Sequence, residues 1–177
     1  FRIELARDKL QDNDSKAIAE LEKGSDVLNQ AIQEVRRISH DLRPIQLDDI
    51  GLEPAILSMI DEFSERTSII SLVSVELPQQ RLPDDIEITL YRIAQEALTN
   101  IERHAQATKV ELRIWQDEGQ IFLEVQDNGQ GFIAEDQKCD GIGLLNMRER
   151  TELMSGQFSI RSKLGAGTRI RVGFALM

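Results

Sequence analysis

The sequence predicts an α+β protein: a two-layer α/β sandwich, with a mixed sheet and helices on one face, preceded by a partial helical hairpin. Three observations predict this class: a heptad repeat that stops at a proline, later segments with a helical period, and short β-rich runs between turn signals. After the hairpin the elements come in the order helix, strand, helix, two strands, helix, two strands. We therefore expect two parts, at residues 1–44 and 45–177.

The predicted hairpin rests on a seven-residue rhythm between residues 16 and 43. One row consists of Leu21, Leu28, Val35 and Leu42, and a second of Gly24, Ala31 and Ile38. Such a and d positions are typical of a helix packed in a bundle or coiled coil. Residues 1–10 are predicted to form a shortened first arm. Pro44 disfavours helical geometry at the residue before it, so the second arm ends at Arg43.

Periodicity and turn residues place the elements of the larger part. Helices are predicted at residues 51–66, 83–105 and 144–155, and strands at residues 68–76, 109–116, 120–126, 157–162 and 168–175. On the longest helix one arc is apolar and is the predicted core face: Ile86, Leu90, Ile93, Ala94, Ala97, Leu98 and Ile101. The segment Asp117-Glu118-Gly119 predicts a hairpin turn.

Composition argues against several function classes. The formal net charge of −10 disfavours a protein that binds the nucleic-acid backbone, because such proteins need a basic face. No apolar run approaches the roughly 20 residues that cross a bilayer, and no signal-peptide pattern is present. The single cysteine fits a reducing compartment. We expect a soluble piece that does not bind nucleic acid directly.

A polar edge accompanies the core face of the longest helix. Glu96 and Asn100 are four residues apart and therefore stack on this edge, and Arg103 continues it. A carboxylate, an amide oxygen and a cation are thus lined up beside the core. A solvated helix edge is the simpler interpretation of this helix alone. A site for a hard cation such as Mg²⁺ would need a phosphate ligand to complete it.

Three glycine-rich segments could supply the phosphate-binding part. "DNGQGF" follows a predicted strand, "GIGLLNMRER" places two glycines before a helix whose first N–H groups suit an anion, and "GAGT" lies between two strands. Each segment alone is an ordinary turn. Their order after a helix with Glu-x-x-x-Asn is much more specific.

Together these segments resemble the sensor histidine kinases of two-component signalling. "QEALTNIERHA" is similar to the N box of that family, and "DNGQGF", "GIGL" and "GAGT" are similar to its first, second and third glycine boxes. The part from Gly51 to Met177 resembles the Bergerat-type ATP-binding domain that these kinases share with the gyrase, heat-shock-90 and mismatch-repair ATPases. The short spacing between the boxes resembles the subfamily of nitrate and desaturase sensors.

The resemblance implies a protein histidine kinase that uses ATP and Mg²⁺. Residues 1–44 would belong to the dimerisation and phosphotransfer hairpin, and residues 45–177 would be the catalytic domain. It further implies a homodimer in the full-length protein and a response regulator with a helix-turn-helix output domain as partner. The catalytic part would be cytoplasmic, with any membrane contact made only through regions outside this chain.

The resemblance also implies roles at the matching positions. Asn100 would bind Mg²⁺ and, through it, the triphosphate, while Glu96 would hold a metal-bound water or assist proton transfer. Asp127 would accept a hydrogen bond from the adenine amino group. The remaining positions would contact or shape the nucleotide site: Arg103, His104, Gly129, Gly131, Gly141, Gly143, Leu144 and Thr168. For His104, a capping role at the helix end is an equal alternative.

His40 is followed by an acid, as a phosphoacceptor histidine of this family would be. The ending Leu42-Arg43-Pro44 instead resembles the second hairpin helix, which implies that the acceptor lies upstream of Phe1 and that His40 is a passive residue near the hinge. His40 as the acceptor remains the alternative.

Two other functions stay open. An ATP-gated interaction module or an anti-sigma-factor-like serine kinase of the same superfamily is one, although the heptad helix favours a histidine kinase. A purely structural dimerisation unit with a degenerate ATP fold is the other, and the near-complete set of glycine boxes disfavours it.

Overall fold

The structure, a computed structural model, describes residues 47, 50–133 and 142–176. All of these residues belong to one compact unit, Pro44–Met177. The helices are α1 (Leu52–Thr67), α2 (Asp84–Asn100) and α3 (Ile142–Leu153), and the strands are β1 (Ile70–Val75), β2 (Lys109–Asp117), β3 (Gln120–Asp127), β4 (Gln157–Ser162) and β5 (Thr168–Ala175). The predicted order of elements and the α+β class are confirmed.

The five strands form one sheet in the order β1-β2-β3-β5-β4. β1 pairs with β2 in parallel, and the other three pairs are antiparallel. The sheet is therefore mixed, as the sequence predicted. The turn at Glu118 and Gly119, both with positive φ, joins β2 to β3 as the predicted hairpin.

The core lies between one face of the sheet and the helices. Alternate residues of the central strands are buried on that face: Val110, Leu112, Ile114, Ile121, Leu123, Val125, Ile170, Val172 and Phe174. All seven apolar residues of the predicted arc of α2 are buried with them. Because the side chains of a strand alternate between faces, the opposite face, which we call the open face, carries the polar residues, partly or fully exposed within the described part of the chain.

Several element ends differ from the predictions by one or two residues. Backbone hydrogen bonding extends β3 by one residue to Asp127, and α3 begins at Ile142, two residues earlier than predicted. The last turn of the long helix, Ile101–Ala105, is a π turn, and Gln106 ends it with φ of 52°. A π turn closes i→i+5 bonds and is therefore wider than an α turn, which changes the direction of the side chains along it.

The predicted hairpin at residues 1–44, His40 and Gly141 lie outside the described residues. Within residues 47, 50–133 and 142–176, no helix has the length and apolar character needed to cross a membrane.

Candidate nucleotide-binding site

A cavity of about 350 Å³ opens between the end of α2, the sheet and the glycine-rich loops. Apolar side chains form most of its wall: Ala97, Ile101, Ala105, Val125, Phe132, Leu144 and Ile170. The polar members of the wall are few, which is the usual composition of a small-molecule pocket. Among them are Asn100, His104, Asp127 and Thr168.

Asp127 brings a carboxylate into this apolar wall. The alternation of β3 puts Ile121, Leu123, Val125 and Asp127 on the covered face, so the last residue of the strand is only 5% exposed. Its Oδ1 accepts a hydrogen bond from the backbone N–H of Gly129 at 2.7 Å. Burial raises the pKa of Asp127, and the backbone N–H groups of Gly129 and Thr168 offset part of that effect.

The first glycine loop is fastened to the π turn that ends the long helix. Gly129 lies directly against the carbonyl of Ala105, where any Cβ would overlap the oxygen. The backbone N–H of Gln130 donates to the same carbonyl at 2.7 Å, and Gln130 Nε2 donates to the carbonyl of His104 at 2.6 Å. The unpaired carbonyls at the helix end are thereby satisfied by the loop.

Asn128 ties the other side of this loop to β2. Its Oδ1 accepts hydrogen bonds from the backbone N–H groups of Thr108 and Lys109, both at 2.9 Å. Its Nδ2 donates to Thr108 Oγ1 at 2.9 Å. Asn128 therefore holds the loop and does not line the cavity, whereas Asp127, Gln130, Gly131 and Phe132 of the same segment do.

The third glycine turn packs against the first. Gly167, with φ of 75°, lies against the carbonyl of Asp127, and the N–H of Gly165 donates to the carbonyl of Gln130 at 2.7 Å. Gly131, with φ of 59°, lies equally close to the carbonyl of Lys163. Side chains could not occupy these approaches, so the glycines are required by packing as well as by their dihedral angles.

A pair of hydroxyl groups completes the sheet side of the cavity. Ser162 and Thr168 lie 2.9 Å apart between their side-chain oxygens, where either can donate. Ser162 Oγ also accepts a hydrogen bond from the backbone N–H of Phe132 at 2.8 Å. This contact holds the end of the first glycine loop beside the wall residue Thr168.

The polar edge of α2 divides between the cavity and α3. Asn100 lines the cavity, and its Nδ2 is buried with no hydrogen-bond partner in the part of the chain that the structure describes. Glu96 does not line the cavity. Its carboxylate lies against Gly143 of α3, where a Cβ would overlap Oε1 and would lie 3.3 Å from Asn100 Nδ2. Gly143 itself and Leu144 belong to the wall.

The two basic site candidates at the helix end differ in their position relative to the cavity. His104 lines the cavity, whereas Arg103 is exposed and does not. The π turn gives the physical reason: its wider turn departs from the 3.6-residue period on which the common edge of Glu96, Asn100 and Arg103 was predicted. Gly129 is buried against the helix end and is not a wall residue.

Several wall residues were not predicted as site residues. Val125 and Ile170 face the cavity from neighbouring strands, and Ala97 and Ile101 face it from the helix arc that was predicted as core. Their alternation and helical period marked them as covered, but a periodic pattern does not tell a buried residue that packs on protein from one that lines a cavity.

No protein cage for a metal exists among the described residues, because nowhere in them do three or more His, Cys, Asp or Glu side chains come together. A divalent cation at Asn100 would therefore take most of its oxygen ligands from a bound phosphate and from water. That is the coordination that Mg²⁺ prefers.

Two family models match the chain. Residues 85–176, which contain α2, the π turn and every strand except β1, match the family described as "Histidine kinase-, DNA gyrase B-, and HSP90-like ATPase". Residues 1–47 match a second model, described as "Histidine kinase".

Curated relatives share substantial sequence with the chain. It is 39% identical over 173 residues to the sensor histidine kinase MctS of Rhizobium johnstonii, across 96% of this chain and 37% of that protein. It is 36% identical over 169 residues to the signal transduction histidine-protein kinase/phosphatase DegS of Brevibacillus brevis, across 96% and 43%. The chain thus spans less than half the length of these relatives.

Solved structures share the fold. The blue-light activated histidine kinase of Erythrobacter litoralis EL346 superposes with a TM-score of 0.62 at 20% identity, across 84% of this chain and 50% of that chain.

Proposed function

Because the chain belongs to the histidine kinase-, DNA gyrase B- and HSP90-like ATPase family, we propose that it is the ATP-binding catalytic part of a sensor histidine kinase. In this proposal the γ-phosphoryl group of ATP moves to a histidine nitrogen, leaving ADP, and is then relayed to an aspartate of a response regulator. The match of residues 1–47 to the histidine kinase model favours this over a free-standing interaction module or a serine kinase of the same superfamily.

One observation carries the proposal: the buried Asp127 carboxylate in a mostly apolar pocket wall. Adenine has two flat apolar faces and an exocyclic amino group that donates hydrogen bonds. A pocket of about 350 Å³ with one buried acceptor suits that group. The backbone of Gly129 already occupies Oδ1, which fixes the carboxylate in position before a ligand binds.

The phosphate end of the nucleotide would lie toward Asn100. There the amide oxygen would bind Mg²⁺, and Glu96, beside it on the same helix, would hold a metal-bound water or assist proton transfer. Mg²⁺ would neutralise the phosphate charge, and the protein would position the nucleotide for transfer. His104, Gly131, Gly143, Leu144 and Thr168 line the cavity and would contact the nucleotide, and Gly129 shapes the loop.

The partners follow from the same proposal. The full-length protein would be a homodimer through its hairpin, its partner would be a response regulator with a helix-turn-helix output domain, and nucleic acid would not bind directly. The catalytic part would act in the cytoplasm. The phosphoacceptor would lie upstream of Phe1, with His40 as the alternative.

Nucleotide binding to purified variants tests the site. Asp127→Ala removes the acceptor for the amino group and should weaken ADP binding without Mg²⁺ about 10- to 100-fold, as loss of a hydrogen bond to a charged group does. Asn100→Ala should weaken binding about tenfold only when Mg²⁺ is present. Glu124→Ala, on the same strand but on the open face, is the matched control and should bind as the unchanged chain does. Unchanged affinity in both site variants would contradict the assignment.

Intact-mass analysis tests the acceptor. After incubation with Mg-ATP at mildly alkaline pH, we expect the chain to bind nucleotide without gaining phosphate. A phosphate that appears and is absent from His40→Ala would instead identify His40 as the acceptor.

A further inference from the structure

Ser162, the last residue of β4, links three segments around the cavity without lining it. Its Oγ accepts a hydrogen bond from the backbone N–H of Phe132 at 2.8 Å. The same oxygen lies 3.2 Å from the carbonyl oxygen of Gly167 and 2.9 Å from Thr168 Oγ1. Of these groups, only the Thr168 hydroxyl is a side chain of the cavity wall that can turn its hydrogen in more than one direction.

The hydrogens of this hydroxyl pair can be assigned by counting donors and acceptors. A serine hydroxyl has one hydrogen and two lone pairs. The carbonyl of Gly167 can only accept, so it takes the hydrogen of Ser162, while the N–H of Phe132 takes one lone pair. The second lone pair then accepts the hydrogen of Thr168. The opposite assignment would leave the Gly167 carbonyl to the N–H of Lys163, at 3.4 Å.

Thr168 faces the cavity next to Asp127. β3 and β5 pair with Gln126 opposite Arg169, so Asp127 and Thr168 are the next opposed positions, and across β4 and β5 Thr168 is opposite Ser162. Opposed residues of antiparallel strands have Cβ atoms about 5 Å apart. Because the hydrogen of Thr168 is directed to Ser162, its oxygen offers only lone pairs to the cavity. This corner therefore holds two neighbouring acceptors, the hydroxyl oxygen and the carboxylate.

Two neighbouring acceptors favour one kind of purine. Adenine carries an amino group at C6, with two hydrogens to donate, whereas hypoxanthine and guanine carry a carbonyl oxygen there. A carbonyl oxygen would face the lone pairs of Thr168 with no hydrogen between them. Mispaired polar groups of this kind discriminate more strongly than a change in apolar fit does.

We propose that Ser162 is a positioning residue that fixes the Thr168 hydroxyl as an acceptor and thereby makes the pocket reject 6-oxopurine nucleotides. The inference rests on the proposed function, since it takes the cavity as the nucleotide site. Asp127 alone would not give this selectivity, because a 6-oxopurine has a hydrogen on N1 that a carboxylate can accept. Selectivity comes from a residue that does not itself contact the base.

The test compares the affinities of the 177-residue chain for ADP and for inosine diphosphate, both without Mg²⁺. The two nucleotides differ only at C6 and in the hydrogen on N1. Ser162→Ala frees the Thr168 hydroxyl to donate, and Thr168→Val removes that hydroxyl with little change of shape. Ser159→Ala is the matched control, because Ser159 lies on the same strand with its side chain exposed on the open face.

We expect the unchanged chain to prefer ADP. Ser162→Ala should strengthen binding of inosine diphosphate about three- to tenfold and leave ADP binding within about threefold. A loss of packing cannot produce this result, because it would not improve binding of the disfavoured nucleotide. In the Thr168→Val background, Ser162→Ala should change the preference less than about twofold. Ser162→Thr, which keeps a hydroxyl, should retain the preference, and Ser159→Ala should behave as the unchanged chain.

Equal weakening of both nucleotides by Ser162→Ala would show a merely structural role and overturn the inference. A preference that Ser162→Ala leaves unchanged, or that it shifts equally without the Thr168 hydroxyl, would overturn it as well. If Ser162→Ala does not fold, Ser162→Cys, whose thiol is a weak donor and acceptor, is judged by the same outcomes. Failure of the proposed function would look different, because the unchanged chain would then bind neither nucleotide, and the inference would fall with it.

Discussion

The two faces of the sheet are built from the same strands and differ in what covers them. On the covered face, alternate residues of β2, β3 and β5 pack beneath the helices, and the candidate nucleotide cavity opens at the edge of this layer. On the open face, Trp115 and Phe122 stack with ring centroids 5.4 Å apart. The guanidinium of Arg171 lies 5.0 Å from the Trp115 centroid and 4.5 Å from that of Phe122.

The two faces also differ in the residues that depart from their general polarity. On the open face the residues that break the pattern are aromatic, and arginine guanidinium groups lie over their rings. On the covered face the exception is Asp127, an acid at the end of an otherwise apolar row. Glu124, three residues earlier on the same strand, faces the open side opposite Arg113 and Arg171. A carboxylate at a strand position whose side chain faces the apolar core is therefore a stronger indication of a site than a carboxylate on the open face.

The largest expected contrast is between two phenylalanines. Phe174 is buried on the covered face, so Phe174→Ala should lower the free energy of unfolding by about 3–5 kcal/mol through lost burial and a cavity. Phe122→Ala on the open face loses its contacts with Trp115 and Arg171 and should lower it by about 1–2 kcal/mol. Urea unfolding followed by circular dichroism measures both. Equal losses would contradict the distinction between the faces.

A second contrast is offered by two glycines of one turn. Gly165 and Gly167 have φ of 73° and 75°, but only at Gly167 would a Cβ meet another atom, the carbonyl of Asp127. Gly165→Ala should lower the free energy of unfolding by about 1–2 kcal/mol, the strain of a left-handed residue. Gly167→Ala adds an overlap at the cavity wall and should lower it by about 1–3 kcal/mol more. The same urea experiment decides, and a Gly167→Ala loss no greater than that of Gly165→Ala would contradict the packing argument.

A smaller effect concerns the pH dependence of stability. The folded state raises the pKa of Asp127 above its ordinary value of 3.8, so the folded state binds this proton more tightly than the unfolded state does. The free energy of unfolding should therefore fall as pH rises through the ordinary pKa and the raised one. Asp127→Asn keeps an acceptor for Gly129 and removes the ionisation, so its stability relative to the unchanged chain should increase over that interval.

Thermal or urea unfolding at a series of pH values from 3 upward measures this difference. Glu124→Gln, which removes an acid from the open face of the same strand, serves as the comparison variant. A stability difference between Asp127→Asn and the unchanged chain that does not vary with pH would contradict the expectation.

The smallest expected effect is on the open face. Arg171→Ala removes a guanidinium that contacts two rings at the surface and should lower the free energy of unfolding by about 0.5–1 kcal/mol. Nucleotide affinity should not change, since Arg171 faces away from the cavity. A loss of affinity would show that the two faces are coupled.

The sequence by itself determined the layers of this fold. Period-two alternation placed β4 and β5 at residues 157–162 and 168–175, the bounds that the structure has. The helical period identified the buried arc of α2. These patterns succeed because burying one face of an element requires apolar residues at its own repeat, which is visible within a few turns or strand residues. Asp127 was identified differently, through the resemblance of "DNGQGF" to a glycine box, since the predicted strand ended one residue before it.

The tertiary structure decided which groups meet across elements. The helical period put Glu96, Asn100 and Arg103 on one edge, yet Asn100 lines the cavity, Glu96 lies beneath Gly143, and the π turn leaves Arg103 exposed. The sequence analysis assigned no role to Arg150, and only the fold shows that its Nη1 is buried without a hydrogen-bond partner among the described residues. Contacts such as that of Gly143 with Glu96 join helices some fifty residues apart in the sequence, and local periodicity contains no information about them.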